Sequence, residues 1–302
     1  MTTTRLSSIR PGSHWRIVPL ASSVNAKAIE SCRQWLESQG FQVSYGEHLF
    51  ERDNDVLHLA GGDRERSEDL TAALTDPAVD VVLAARGGYG TMRLLPYLDL
   101  GRIQQENPKP VIGFSDITAL HNTLASIGWT SIHGPNAHSQ LEGPTGESLL
   151  QLLAGELEEI TPHPMECLAN PIRETVVAPW HGGNLALVSA LVGTPYQPDW
   201  DGSVLYLEEV HEKPYRIDRM LQQLRLAGIL DQVRGIVFGE ALFDAEPKDE
   251  AVKSLVRDIA LLQGIPAWWG LKSGHSEPMF SLPLGTPLAI EPTGHVRLLM
   301  NR

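Results

Sequence analysis

The chain has 302 residues, enough for about two domains of ~150 residues each. Its formal net charge is -13, with 24 Lys and Arg against 37 Asp and Glu, which argues against nucleic acid and anionic membrane surfaces as partners. The only two cysteines, Cys32 and Cys167, lie far apart in the sequence, so neither a disulfide framework nor a cysteine metal site is expected.

The N-terminal residues lack the long apolar segment of a signal peptide, and no run in the chain approaches the ~18 apolar residues of a membrane span. We therefore expect a cytoplasmic protein.

The first predicted elements indicate a parallel sheet. Residues 15–20 (WRIVPL) predict a buried strand, residues 25–39 a helix, and residues 41–45 (FQVSY) a second strand. Strand, helix and strand in this order predict parallel pairing with a right-handed crossover.

A glycine loop follows the next predicted strand. After a charged helix at residues 64–76, residues 79–85 (VDVVLAA) are almost continuously apolar, as in the centre of a parallel sheet. They run directly into residues 86–90 (RGGYG), at the strand end where α/β sheets bind ligands. Glycine backbone there can approach a ligand and direct N–H groups at an anion. The spacing is not that of a dinucleotide loop, because Arg93 replaces the third glycine, and it is not that of a Walker loop either. The alternative to a ligand-binding loop is a purely structural turn.

Strand, tight turn and helix come together again around Ser115. Residues 110–114 are apolar, Ser115 and Asp116 follow, and apolar positions three and four residues apart predict a helix that stops at Gly128. In this context a serine hydroxyl projects into a cleft, while the helix N-terminus offers N–H groups to an oxyanion. The run GFSDI lacks the second glycine of the G-x-S-x-G motif, so an ordinary helix N-cap is the alternative interpretation.

The composition changes after residue 157. Residues 129–133 (WTSIH) predict a strand and residues 142–157 a polar helix, whereas the proline-rich residues 158–179 read as irregular. We therefore predict an α/β chain with a parallel-sheet domain at residues 1–157, a linker at 158–179 and a smaller domain at 180–302.

The second domain combines short strands, turns and helices. Residues 180–184 (WHGGN) read as a glycine turn before a helix at 185–192, and residues 204–207 (VLYL) as a strand that ends on two glutamates. Because strands and turns dominate here, we expect a smaller mixed or barrel-like sheet. The further predicted elements are helices at 215–226 and 250–263 and strands at 235–238, 287–291 and 295–300.

A serine nucleophile needs a base, and the base needs an acid to orient it. His275 follows Gly274 in a loop of the second domain, and Glu208 stands at the end of an apolar strand. The order Ser115, Glu208, His275 places the acid before the histidine, as in one known class of triad.

Rival residues leave this choice open. Eleven histidines are present, and His133, His181 and His211 are rival bases. Glu209 and Glu212 are rival acids. Since the H-E-x-x-H motif is absent and the His211-Glu212 pair lacks a second histidine at the right spacing, no catalytic metal is expected.

Six short motifs follow one another between residues 86 and 275. They are RGGYG at 86–90, GFSDIT at 113–118, HGP at 133–135, GGNL at 182–185, LEE at 207–209 with PYRIDRML at 214–221, and SGH at 273–275. In this order they resemble the motifs of the serine L,D-carboxypeptidases of peptidoglycan recycling, a family that includes the microcin C immunity peptidases, and the resemblance runs from about residue 15 to near the C-terminus. Each motif is weak alone, but the set in register is specific.

The resemblance implies a role for each candidate residue. Ser115 is the implied nucleophile, Glu208 the acid that orients the histidine, and His275 the general base. The backbone N–H groups of Gly88 and Asp116 are the implied oxyanion hole. The family fold implies a Rossmann-like N-terminal domain that carries the serine and a β-rich C-terminal domain that carries the acid and base. A site at the domain interface, a homodimer and the absence of any cofactor are also implied.

The implied reaction is hydrolysis of the amide bond before a terminal D-residue, with a murein tetrapeptide losing D-alanine. One alternative is an immunity peptidase that cleaves a peptidyl-nucleotide, whose base would stack on Trp180 or on residues 268–269 (WW). Another alternative is a non-catalytic protein that binds a small ligand on the same scaffold. A carboxypeptidase also needs a cation for the terminal carboxylate, and Arg86, Arg93 and Lys272 are the candidates.

Overall fold

The structure is a computed structural model that describes residues 9–53, 57–243 and 249–299. The strands are β1 (His14–Val18), β2 (Gln42–Tyr45), β3 (Val81–Ala84), β4 (Val111–Gly113), β5 (Ser131–His133), β6 (Glu166–Ala169), β7 (Val176–Asn184), β8 (Val204–Val210), β9 (Gly235–Leu242), β10 (Ala267–Trp269), β11 (Leu282–Leu284), β12 (Pro287–Ile290) and β13 (Val296–Leu298). The helices are α1 (Ala26–Ser38), α2 (Asp63–Thr75), α3 (Thr91–Leu94), α4 (Leu100–Ile103), α5 (Thr118–Ser126), α6 (Pro144–Ala154), α7 (Leu185–Leu191), α8 (Pro214–Leu226) and α9 (Asp249–Gln263). Across these three ranges, no helix is both long and apolar enough to cross a membrane.

The first sheet has the strand order β11-β5-β4-β3-β1-β2. The strands β1 to β5 run parallel, and β11, from the C-terminal part of the chain, pairs antiparallel with β5. The order reverses between β1 and β3, and open α/β sheets bind ligands beyond the carboxyl ends of the strands at such a point. The predicted fold class, with a parallel-sheet core and a second sheet, is confirmed.

Both faces of the first sheet are covered by helices, which explains the continuous apolar runs of its strands. On neighbouring strands, Ile17 and Leu83 face the core under α1 and α6, whereas Val18 and Val82 face the core under α2 and α5. This alternation follows from the two-residue period of a strand. Each buried aliphatic side chain of this kind contributes roughly 2 kcal/mol of transfer free energy.

The second sheet has the order β13-β12-β7-β8-β9-β10-β6. The strands β7, β8, β9 and β10 are parallel to one another, and antiparallel strands flank them on both sides. The sheet is therefore an open mixed sheet rather than a barrel. With seven strands against six, it is not smaller than the first sheet, because β6, β7 and β10 extend it beyond the strands that the sequence pattern predicts.

Two local predictions are wrong. Residues 158–179 are not irregular throughout, because β6 forms the outer edge of the second sheet and β7 begins at Val176. Residues 180–184 are not a turn, since they form the last part of β7 and pair with β8. The predicted C-terminal strand extends to residue 300, which lies outside the described residues, and β13 ends at Leu298. The division of the chain into domains remains a prediction.

Two glycines inside β7 account for the mistaken turn. Gly182 and Gly183 both have φ near +128°, a conformation that side-chain-bearing residues rarely adopt. A Cβ atom on Gly182 would lie 1.9 Å from the carbonyl oxygen of Tyr206 on β8. One on Gly183 would lie 2.4 Å from Thr118 Oγ1 on α5. Glycine is required because β7 passes closely between its partner strand and the helix that follows Ser115.

Candidate active site

Ser115 lies where β4 ends, in a 3-10 turn (Ser115–Ile117) that leads directly into α5. Its φ is +65°, in the left-handed region, and its side chain is half-buried. Phe114, not Ser115, occupies the N-cap position of the turn, so the N-cap interpretation of Ser115 is wrong. A strained turn between strand and helix is the geometry that presents a nucleophilic serine at the edge of a sheet.

The loop between β3 and α3 closes against this turn. A Cβ atom on Gly87 would lie 3.0 Å from the Cβ of Ser115, and one on Gly88 would lie 2.5 Å from Ser22 Oγ. Gly88 has φ of +103°, and the N–H of Tyr89 donates to Ser22 Oγ at 3.1 Å. The glycines therefore let this loop fit between the serine turn and the loop after β1.

A buried polar network also holds the loop between β3 and α3 in place. The carboxylate of Asp116 accepts from the Thr91 N–H at 2.7 Å. Burial raises the pKa of Asp116, although its hydrogen bonds from Thr91 and the charge of Arg66 act in the opposite direction. Arg66 is fully buried and donates to the carbonyl oxygens of Leu20 and Gly90, both at 3.0 Å. Nothing local in the sequence singles out Arg66, because only the tertiary fold buries it.

Glu208 and His275 form a buried acid–imidazole pair. His275 Nδ1 donates to Glu208 Oε2 at 2.7 Å, and Glu208 is only 1% exposed. Burial lowers the pKa of His275, but the hydrogen bond to Glu208 and the charges of Glu208 and Glu209 outweigh it, so this pKa lies above its ordinary value. A Cβ atom on Gly274 would lie 2.9 Å from Glu208 Cγ, so glycine lets the loop reach the strand. With Nδ1 engaged, Nε2 is the nitrogen left to act as a base.

Tyr206 is a second anchor for the histidine loop. It precedes Glu208 by two residues on β8, so both side chains lie on one face of the sheet. Its hydroxyl donates to the carbonyl oxygen of Ser273, two residues before His275. One face of β8 therefore holds this loop at two points, and the sequence pattern marks Tyr206 only as a core residue.

The two sheets bring the serine turn and the acid–imidazole pair together. The ring of Phe114, the residue before Ser115, lies edge-to-face on the ring of His275 with 4.9 Å between centroids. Within the described part of the chain, no hydrogen bond joins the Ser115 hydroxyl to His275. Catalytic hydrogen bonds often become short only in the complex with substrate.

The rival bases have other environments. His133 is fully buried against Tyr206, with 5.4 Å between ring centroids, and burial holds its pKa well below the ordinary value. His181 packs edge-on against Trp200, and burial lowers its pKa to about 4. His211 is exposed beyond the end of β8. A carboxylate hydrogen bond of the kind that orients a catalytic histidine is seen at His275.

The rival acids are committed elsewhere. The Glu209 carboxylate accepts from Asn184 Nδ2 at 3.0 Å and from the Ala186 N–H at 2.9 Å. Burial raises the pKa of Glu209 to about 7 in spite of these hydrogen bonds. Glu212 pairs with Arg216 near the surface at 3.4 Å.

The candidate cations for a substrate carboxylate also differ. Arg93 donates through Nε and Nη2 to both oxygens of Asp63, at 2.9 and 2.7 Å. Arg86 is exposed, and its Nη1 donates to the Ser23 carbonyl oxygen at 3.1 Å. Lys272 is exposed near His275 in sequence. Arg93 is therefore taken by a bidentate ion pair, whereas Arg86 directly precedes the glycine that abuts the serine turn.

One group of possible metal ligands occurs among the described residues. Ligand atoms of His48, Glu51 and Glu65 lie within 4.8 Å of one another. His48 Nδ1 is already paired with Asp69 at 3.1 Å, and Glu65 accepts from the Gly62 N–H at 2.6 Å. The group shares no residue with the serine turn or with the acid–imidazole pair.

Comparison with known proteins matches both parts of the chain. Residues 16–134 match the family model of the LD-carboxypeptidase N-terminal domain, and residues 178–290 match that of the LD-carboxypeptidase C-terminal domain. A murein tetrapeptide carboxypeptidase of Pseudomonas aeruginosa is 33% identical over 293 residues, which cover 91% of this chain and 92% of the relative.

Two solved structures have the same fold. A muramoyltetrapeptide carboxypeptidase from Oxalobacter formigenes superimposes with a TM-score of 0.78 at 27% identity, over 94% of this chain and 97% of that one. The microcin C7 self immunity protein MccF superimposes with a TM-score of 0.86 at 22% identity, over 98% of both chains. The second likeness is one of fold alone.

Proposed function

This chain belongs to the LD-carboxypeptidase family, and we propose that it is a serine peptidase that removes the terminal D-alanine of murein tetrapeptides. The observation that carries the proposal is the hydrogen bond between Glu208 and His275. The ring of His275 also packs against Phe114, the residue before Ser115. The murein tetrapeptide carboxypeptidase at 33% identity supports the substrate class.

The proposed mechanism is acyl transfer through a serine ester. Ser115 Oγ attacks the carbonyl carbon of the scissile amide while His275 Nε2 takes its proton. Glu208 holds Nδ1 and stabilises the imidazolium. The N–H groups of Gly88 and Asp116 donate to the oxyanion, each worth about 3 kcal/mol in the transition state. His275 then protonates the leaving amine of D-alanine, and water activated by the same ring hydrolyses the acyl-enzyme.

The test is release of the terminal residue from synthetic murein tetrapeptides that end in D-alanine or L-alanine. We expect release from the D-alanine peptide and none from its L-alanine epimer. Equal release from both epimers contradicts the proposed specificity. Cleavage of an aminoacyl-sulfamoyl nucleotide without cleavage of either peptide favours the immunity peptidase instead.

The tryptophans that the immunity alternative would use to stack on a nucleotide base are buried in this structure. Trp180 and Trp268 are at most 1% exposed and belong to the core of the second sheet. Trp269 stacks on Phe238, with 5.3 Å between ring centroids. None of these indoles offers a free face for a nucleotide base. The Glu208–His275 pair likewise disfavours a purely non-catalytic binding protein, which has no use for an oriented histidine.

A cytoplasmic location and a homodimeric state complete the proposal. The homodimer is supported by the family resemblance, and the cytoplasmic location stays the expectation drawn from the sequence. Light scattering of the purified protein distinguishes a dimer from a monomer, and fractionation of cells that produce it determines the compartment.

Replacement of Arg86 by alanine is expected to raise KM for the tetrapeptide roughly 10- to 100-fold, with a smaller effect on kcat. The reason is loss of a charge-assisted hydrogen bond to the terminal carboxylate, which is worth about 1.5–3 kcal/mol. Steady-state rates of D-alanine release measure both constants. Lys272→Ala is the comparison, since an increase of KM in that variant but not in Arg86→Ala assigns the carboxylate to Lys272.

A further inference from the structure

The helix that follows the nucleophile lies directly against the second sheet. α5 begins three residues after Ser115. It contacts β7, which pairs with β8 in a register that places Asn184 opposite Glu208. Contacts between α5 and β7 therefore fix the position of the serine turn relative to the acid–imidazole pair. We call these contacts the α5–β7 seam. The seam consists of Thr118, Asn122, Gly182 and Asn184.

Asn122 forms hydrogen bonds with the main chain of β7 through both the nitrogen and the oxygen of its side-chain amide. Its Nδ2 donates to the carbonyl oxygen of Gly182 at 3.0 Å, and the N–H of Gly182 donates back to Oδ1 at 3.1 Å. Nδ2 also donates to the Thr118 carbonyl oxygen in its own helix at 2.8 Å. Asn122 is 1% exposed, so any shift of the helix along the strand leaves buried polar groups unpaired.

A second hydrogen bond crosses the seam closer to Ser115. The Thr118 hydroxyl accepts from the Asn184 N–H at 2.9 Å, and Gly183 gives the space for this approach. The Asn184 side chain in turn donates to Glu209, the residue after Glu208. The seam is thus connected to both sides of the site by fully buried contacts.

We propose that Asn122 is a positioning residue that sets the distance between Ser115 and His275. It acts through α5, whose start follows the serine turn, and through β7, whose neighbour β8 carries Glu208. Its side chain is buried with both amide atoms engaged, so its effect is on alignment of the reacting groups rather than on substrate binding. The inference rests on the proposed function for the identity of nucleophile and base.

The first test compares Asn122→Ala with Asn170→Ala. Asn170 also holds backbone through its side-chain amide, with Nδ2 donating to the Ile265 carbonyl oxygen at 2.8 Å, but it lies away from the seam. We expect kcat to fall about 100-fold in Asn122→Ala, as for a misplacement of ~1 Å, while KM stays within about threefold. Asn170→Ala is expected to lower Tm and keep the wild-type kcat. An equal kcat in the two variants overturns the proposal.

The second test uses two threonines of the same helix and covers the case in which Asn122→Ala fails to fold. Thr118 and Thr123 are both fully buried, but the Thr123 hydroxyl donates to the Ala119 carbonyl oxygen within α5, at 2.8 Å. Thr118→Val is expected to lower kcat about tenfold, the effect of roughly 1.4 kcal/mol, and Thr123→Val to leave it unchanged. Equal values of kcat in this pair overturn the proposal.

Labelling with a fluorophosphonate gives a readout that does not depend on the murein substrate. Ser115 Oγ attacks phosphorus, fluoride leaves, and His275 takes the serine proton. We expect the labelling rate of Asn122→Ala to fall by the same factor as kcat. If the wild type is labelled but releases no D-alanine, the substrate proposal fails and the labelling rates alone decide the role of Asn122. If the wild type neither releases D-alanine nor is labelled, both proposals fail.

Discussion

Ser115→Ala is expected to lower kcat for D-alanine release about 10⁶-fold, the loss that removal of a catalytic nucleophile causes. The substitution removes Oγ and keeps Cβ, so the left-handed φ of +65° is imposed on alanine as it is on serine. Because the strain is the same in both proteins, Tm is expected to stay near the wild-type value. The measurements are D-alanine release under saturating tetrapeptide and thermal unfolding of the two proteins.

Ser126→Ala is the matched control for this substitution. Ser126 is the last residue of α5, and its hydroxyl donates to the Thr123 carbonyl oxygen at 2.7 Å within the helix. Wild-type kcat is expected for this control. Residual activity of Ser115→Ala above about one thousandth of wild type would assign the nucleophile to another group, since oxyanion stabilisation and binding alone do not sustain that rate.

The strand-turn-helix unit around Ser115 is predictable from local sequence, because apolar spacing and helix stops are local signals. The same holds for α1, which ends one residue short of the prediction and is capped by Asn25. The conformation of Ser115 itself is not predictable in this way. Its φ depends on packing against the loop of Gly87, which approaches from another strand.

Long-range pairing explains the elements that the sequence pattern misses. β11 is three residues long and contains Pro283, yet it completes the first sheet because β5 presents a free edge to it. β7 carries two glycines, which weaken any local strand signal. They are needed there for the close approach of α5, a constraint visible only once both sheets are in place.

The choice between Glu208 and Glu209 as the proposed acid shows what a family resemblance adds. Glu208 and Glu209 are adjacent, and local properties do not distinguish them. In the structure Glu208 bonds to His275, whereas Glu209 bonds to Asn184 and the start of α7. Because side chains alternate along β8, Glu208 and Glu209 lie on opposite faces of the sheet. The glutamate that contacts His275 can be identified only when it is known which face meets the His275 loop.

Glu208→Gln is expected to lower kcat about 10⁴-fold while the side chain keeps its shape. The neutral amide no longer stabilises the imidazolium that forms when His275 takes the Ser115 proton, and it no longer selects the tautomer with a free Nε2. The measurement is D-alanine release by the variant and by Glu212→Gln, whose surface pairing with Arg216 lies outside the site. The control is expected to keep the wild-type kcat, and a comparable loss in both variants contradicts the assignment of Glu208.

The pH dependence of kcat/KM tests the same residue independently, because it reports the free enzyme. Burial lowers the pKa of His275, and Glu208 raises it above its ordinary value by hydrogen bond and charge. His275 acts as a base only when neutral, so wild-type activity is lost as pH falls through this raised pKa. Without the carboxylate, burial dominates and the pKa falls. The acidic limb of the profile is therefore expected to move to lower pH in Glu208→Gln, and an unmoved limb would mean that another group controls it.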